Sequence, residues 1–117
     1  MKVTETKYGN KKQIVKFPDH YVAISVTVDD TGVVAVDGKK IVPAGTIIGG
    51  GTLADPSVLV TEANDETAEG VLFNDVDVTY GPAPGAMIIH GFIDLTKLPI
   101  APDATAVTAL KQITFIA

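Results

Sequence analysis

Between Tyr21 and Val28 the chain reads YVAISVTV, placing Val22, Ile24, Val26 and Val28 on one side of an extended backbone and Ala23, Ser25 and Thr27 on the other. A period of two sustained over this length predicts a half-buried strand. Asp29-Asp30-Thr31-Gly32 has turn chemistry. The stretch Val33 to Val36, then Asp37-Gly38, then Lys40 to Val42 reads as a hairpin, because Asp-Gly accepts the positive φ angles of the tightest hairpin turns. Val42-Pro43-Ala44-Gly45 suits a β-turn with Pro second and Gly fourth, leading into a short strand at Thr46-Ile47-Ile48 that Gly49-Gly50-Gly51 ends. Leu53 to Asp65 is expected to be a loop around one apolar piece, Val58-Leu59-Val60. Thr67 to Phe73 follows as a strand with Gly70 near its middle. Tyr80 to Gly85, with two prolines and two glycines, reads as a rigid turn. Ala86 to Ile93 is the most apolar run and the expected central strand.

Only one segment has helical spacing. In Ala104 to Gln112, Ala106, Ala109, Leu110 and the following Ile113 fall on one face, and Asp103 is placed to cap the N-terminus. The β-branched Thr105, Val107 and Thr108 pull against that helix. Ile113-Thr114-Phe115-Ile116 is an apolar end that should be tied into the sheet. At the other end, Met1 to Lys16 is polar and Lys-rich until Ile14 and Val15, too poor in apolar side chains to fold alone. It reads as a mobile arm, with an ordinary frayed terminus as the alternative, and Phe17-Pro18 as the point of docking. The expected organisation is an arm over 1–17 and one β domain over 18–117.

Composition agrees with this pattern. A chain of 117 residues is one domain by size and can bury roughly two thirds of its unfolded surface. Eleven Gly, seven Pro and abundant Val, Ile and Thr describe short strands joined by tight turns, with little helix. There is no cysteine, which removes disulfides, thiolate metal sites and cysteine nucleophiles and suits assembly in a reducing cytoplasm. No leader pattern is visible, and no run approaches the ~18 apolar residues of a membrane span, so neither export nor membrane contact is expected. Charge is uneven: residues 1–16 carry five lysines against Glu5 alone, a net of +4, which leaves −9 on the rest of a chain whose total is −5. With no arginine and an acidic body, a nucleic-acid partner is not expected.

Candidate chemistry is sparse. Gly49-Gly50-Gly51 after a strand hints at a phosphate cradle, but a P-loop continues into Gly-Lys-Ser/Thr and here Thr52 leads to Leu53, so a flexible turn is the reading. Asp75, Asp77, Thr79 and Gly81 imitate the start of a calcium loop. The sixth and twelfth positions are Tyr80 and Ala86 where an EF-hand needs Gly and Glu, so these are read as strand-edge charges, Asp29 and Asp30 as turn formers, and no metal is expected. His90, without a cysteine, a nearby histidine in sequence or a serine motif, is read as a strand residue. No nucleophile, base and orienter can be assembled by spacing; the expectation is a non-enzyme without cofactors.

Glu66 to Thr79 (ETAEGVLFNDVDVT), the turn Pro82 to Gly85 and Met87 to Asp94 (MIIHGFID) resemble the lambda-type phage head decoration proteins, whose members typically run T-A-x-G-V-L-x-x-x-V-D, a Gly-rich turn and an apolar strand ending near H/R-G-x-V/I. Leu98-Pro99, the helix from Ala104 and the last strand fall in the family's order, and Val42 to Gly49 (VPAGTIIG) resembles its upstream strand and turn. The resemblance covers residues 40–117 and leaves the N-terminal third unaligned. It implies a mainly β, compact β-clip or β-tulip-like domain with one short helix near the C-terminus. It further implies a homotrimer bound to the major capsid protein on the capsid exterior of a virion, made in the host cytoplasm, with an N-terminal arm that becomes ordered on the shell. The residues expected to meet the shell are Lys7, Lys11 and Lys12, through charge, and Tyr8 and Phe17, through packing. The alternative is a small-ligand-binding β-clip module of a bacterial protein, although a chain with four Phe, three Tyr and no Trp is poor in stacking surface.

Overall fold

Neighbouring residues in the middle of this chain are apolar in pairs, Ile47-Ile48, Val71-Leu72 and Met87-Ile88, which alternation can satisfy only if both faces of a sheet are covered. The computed structural model, which describes residues 14–117, has that arrangement. Strand β1 (Tyr21–Val28), β2 (Ile41–Val42), β3 (Ile47–Gly49), β4 (Thr61–Glu62), β5 (Ala68–Leu72), β6 (Val76–Asp77), β7 (Ala83–Asp94) and β8 (Ile113–Ile116) carry the fold, with a 3-10 turn at Leu95–Lys97 and helix α1 at Ala104–Ala109. The fold is mainly β, at 40% strand against 9% helix, in a compact single domain.

The main sheet runs β1-β7-β5-β3-β4, with β8 added to β7; β2 and β6 form a separate pair. Among the described residues the strands pair antiparallel except β7 with β8, which the α1 crossover makes parallel, and Val28 of β1 adds a parallel bridge to Val60. Ile47, Val71, Ile88 and Ile93 enter one core with Ile14, Val15, Ala106, Leu110 and Ile113. Ile48, Leu72 and Met87 enter the other with Val26, Val28, Val42, Val60, Val76 and Val78. The helix and the first described residues thus close one face, and the β2–β6 ribbon closes the other.

Several expectations shift. Ile14 and Val15, placed in the arm by the sequence reading, are buried. Beyond Gly91 strand β7 has outrun β1, and residues 14–16 fill the unpaired edge: the Lys16 amide donates to Phe92 O at 2.8 Å, the Asp94 amide to Ile14 O at 2.8 Å, and Val15 bridges Ile93. The boundary expected at residue 17 therefore moves to Ile14 at the latest; the mobility expected of the arm lies outside the described residues. The Asp37-Gly38 turn forms, with φ of 53° and 77° and reciprocal bonds between Val36 and Lys39, but the hairpin goes no further because Ile41–Val42 pairs with β6. The Pro-Ala-Gly turn closes one residue later than expected: the Thr46 amide donates to Pro43 O at 3.2 Å, putting Gly45 (φ 90°) at the third position, where a type II turn needs a positive φ. β4 lies inside the expected loop, β7 begins at Ala83 inside the expected turn, and α1 stops at Ala109, where the Leu110 amide closes the last turn on Ala106 O.

Gly70 is required by close packing: an added Cβ would lie 2.4 Å from Met87 Cγ and 2.6 Å from the backbone O of Ile88. Gly70→Ala is expected to destabilise the domain by about 3 kcal/mol, the upper range for overpacking. Ile14→Ala should cost about 2–5 kcal/mol, as a fully buried side chain does, where a residue in a free arm would cost nothing. Urea denaturation of each variant measures both, with the slope of the transition unchanged.

Candidate functional site

Pro18 fixes φ at the second position of a turn in which the His20 amide donates to Phe17 O at 3.1 Å. This turn stands where the edge segment 14–16 hands over to β1. Phe17, a shell-contact candidate, is 48% exposed and packs edge-on against Phe92, ring centres 5.3 Å apart. The other four candidates, Lys7, Tyr8, Lys11 and Lys12, lie outside the described residues. The same turn delivers His20 beside His90, Nε2 to Nε2 3.2 Å, so His90 is not the isolated strand residue its sequence context suggested. The approach is set by the β1–β7 register, Tyr21 opposite Gly91 and Val22 opposite His90, just before a bulge that leaves Ile89 unpaired. Gly91 (φ 148°) lets Tyr21 Cβ come to where a side chain would clash, 3.0 Å from an ideal Cβ. Tyr21 in turn stacks on Phe73 at 5.3 Å.

A second surface lies at the β2–β6 end. Val34 is 78% exposed, Val36 67% and Ile41 45%, and Tyr80 is fully exposed. The backbone that presents them is well tied: the Lys40 amide donates to Thr79 Oγ1 at 2.9 Å, and the Val78 amide to Lys40 O at 2.8 Å. Val34 and Ile41 also line a cavity of about 280 Å³, with Val28, Val42, Pro99 and Ile100, and among the described residues Asp29 and Glu62 are its charged groups.

The triple-glycine segment is neither a phosphate cradle nor a loose turn. The amides of its last glycine and of the two residues that follow converge on an anion, but the anion is the chain's own Glu69: Gly51 and Thr52 donate to Oε1 at 2.7 and 2.9 Å, and Leu53 to Oε2 at 3.0 Å. Asp75, read as a strand-edge charge, accepts from the Ala44 amide at 2.7 Å. Asp77 accepts from the Thr79 amide and hydroxyl, so the two carboxylates that imitated a calcium loop serve separate turns. Among the described residues no group of three or more His, Asp or Glu is gathered as a metal site.

Asp77 is one of six aspartates in the pattern Asp-x-Ser/Thr, with Asp29, Asp55, Asp65, Asp94 and Asp103, each accepting from both the amide and the hydroxyl two residues on. These bonds hold all six carboxyls below the ordinary aspartate value. The Ser/Thr hydroxyl is the main cause for Asp55, Asp65, Asp77, Asp94 and Asp103, and the Thr31 amide for Asp29.

No family model and no curated protein matches this chain. Sequence spacing had no access to the His20–His90 approach, since 70 residues separate the two rings. Nor did it single out Glu69, whose only signal is an acid within the T-A-E-G stretch.

Because the six folded-state values are depressed, the unfolded chain takes up protons first as pH falls. The stabilisation is complete above the unfolded value near 3.8 and is lost as pH drops through the lower folded values. The melting temperature is expected to stay level from pH 7 to about 5 and to fall below about pH 4. In a Thr67→Val, Thr79→Val double variant the acid fall should be shallower, because the hydroxyls chiefly responsible for two of the depressed values are gone; calorimetry across pH 2–7 reads this.

Proposed function

We propose that this chain is a structural capsid decoration protein, which binds the outer surface of a tailed-phage head as a homotrimer and stabilises the shell. The observation that carries the reading is the exposed apolar group Val34, Val36, Ile41 and Tyr80 on a backbone that hydrogen bonds hold in place. Soluble monomers rarely concentrate large apolar side chains this way unless another surface covers them. The resemblance of residues 40–117 to head decoration proteins supplies the kind of partner, a capsid lattice. The lysine-rich residues 1–13 join the chain at Ile14, which the backbone of β7 holds.

In this reading Lys7, Lys11 and Lys12 meet acidic groups of the major capsid protein, and Tyr8 and Phe17 pack against it. Three linked contacts add avidity. Binding to the assembled lattice and not to free subunits shifts the shell toward its closed state by mass action. A second reading, a small-ligand module, rests on the cavity beside Pro99, which at about 280 Å³ is at the small end of ligand sites.

Because Ile14 and Val15 belong to the core, the discriminating truncation removes residues 1–13 and stops there. The shortened protein should melt within a few degrees of the full chain yet fail to pellet with phage heads. Val36→Glu in the full chain should weaken the trimer or the coating by at least about tenfold, about 1.4 kcal/mol. Co-sedimentation with purified heads and light scattering decide the matter: a full chain that does not pellet with heads, or a monomer whose melting point responds to a small apolar ligand, sinks the decoration reading, and undiminished coating by both variants overturns the contacts assigned to residues 1–13 and Val36.

A further inference from the structure

We propose that His20 and His90 form a chelating site for a divalent transition-metal ion of the zinc, nickel or copper class, independently of whether the chain coats a capsid. These are the only two histidines in a chain without cysteine, so all its imidazole and thiolate donor capacity sits in this one place. Their Nε2 atoms are 3.2 Å apart. An ion bound to both at the usual zinc–nitrogen distance of about 2.0–2.1 Å would see them at an angle of about 99–106°, within about ten degrees of tetrahedral. Zinc and its neighbours in the first transition row favour neutral imidazole nitrogen. The rings are held for the task from both sides. His90 is set by the β7 bulge and His20 by the Pro18 turn, and Phe92 lies against His20 at 5.9 Å with Phe17 closing behind it.

The direct hydrogen bond between the rings requires one Nε2 to carry a proton and the other to be bare. An ion takes both lone pairs, so the donor ring shifts its proton from Nε2 to Nδ1 and none is lost. His90 Nδ1 is buried and, among the described residues, has no hydrogen-bond partner. Ligating histidines normally donate that second N–H to an acceptor, and loss of such support weakens metal sites by about 10–100-fold. The site is therefore of modest affinity, half-saturated at micromolar and not nanomolar metal. His20 is exposed, which leaves the remaining coordination positions to water. By tying the start of β1 to β7, the ion would act as a clip on the edge of the sheet, and binding to the folded chain alone raises its stability.

The test is titration of the full chain with Zn²⁺, and with Ni²⁺, by calorimetry, alongside thermal melts with and without each ion. One ion per chain, a micromolar dissociation constant and a melting temperature that rises with metal are expected. His20→Asn, at an exposed position that leaves the fold intact, should weaken binding by more than tenfold and abolish the thermal shift. His90→Gln should do the same, with its fold checked by circular dichroism. Cu²⁺ should show two equivalent nitrogens by electron paramagnetic resonance in the full chain and not in His20→Asn. Binding only at millimolar metal, unchanged affinity in His20→Asn, or one ion shared between two chains overturns the site.

Discussion

Adjacent residues of β3, β5 and β7 feed opposite cores, and the body depends on that alternation holding in register across all three strands. Ile47, Val71 and Ile88 face the helix side; Ile48, Leu72 and Met87 face the ribbon side. A slip of one residue in any strand would exchange its two faces. Both faces are apolar, so hydrophobicity alone would not forbid the exchange. Close contacts forbid it: Gly49 lies where a Cβ would be 2.3 Å from Thr67 O, Gly70 sits under Met87, and Gly85 lies where a Cβ would be 2.9 Å from Val76 Cγ2. Shape complementarity at three glycines thus does what polar alternation does in a sheet with one wet face.

The loops follow a different rule. Six of them begin or end on an aspartate that bonds its own chain two residues on, and two more carboxylates, Glu69 and Asp75, reach across sequence to hold backbone amides. Eight of the chain's fourteen acidic residues therefore have a place in the architecture of the turns. This explains why an acidic sequence with so many Asp-containing motifs offers calcium-like and phosphate-like fragments that lead nowhere. The carboxylates are occupied with neighbouring N–H and hydroxyl groups of the same chain.

What could be read in advance was local. The period of two in Tyr21–Val28, the Asp103 cap, the Asp-Gly turn and the apolar run of β7 each depend on neighbours in sequence, and each forms there, although Val22 is exposed where the pattern turned it inward and β7 starts at Ala83, ahead of the run. What could not be read depends on partners far along the chain. Ile14 and Val15 look like the end of a polar arm until β7 extends past β1 and needs an edge. Val33 to Val36 looks like a strand until Ile41 and Val42 find β6. β4 is two residues long, below what any periodicity can register, and the His20–His90 approach needs both the register of β1 on β7 and its bulge.

The order of strands has a consequence for how the molecule comes into being. β7 touches β1, β5, β8 and the segment 14–16, so the sheet has no centre until residues 83–94 exist. During synthesis β3 can pair with β4 and β5 as they appear, but β1 and the outer edge of β5 emerge open, waiting for a strand encoded some sixty residues after the first. Pairing over such separations is slow, and a ribosome-bound chain of this kind is the form most exposed to aggregation and most in need of a holding chaperone.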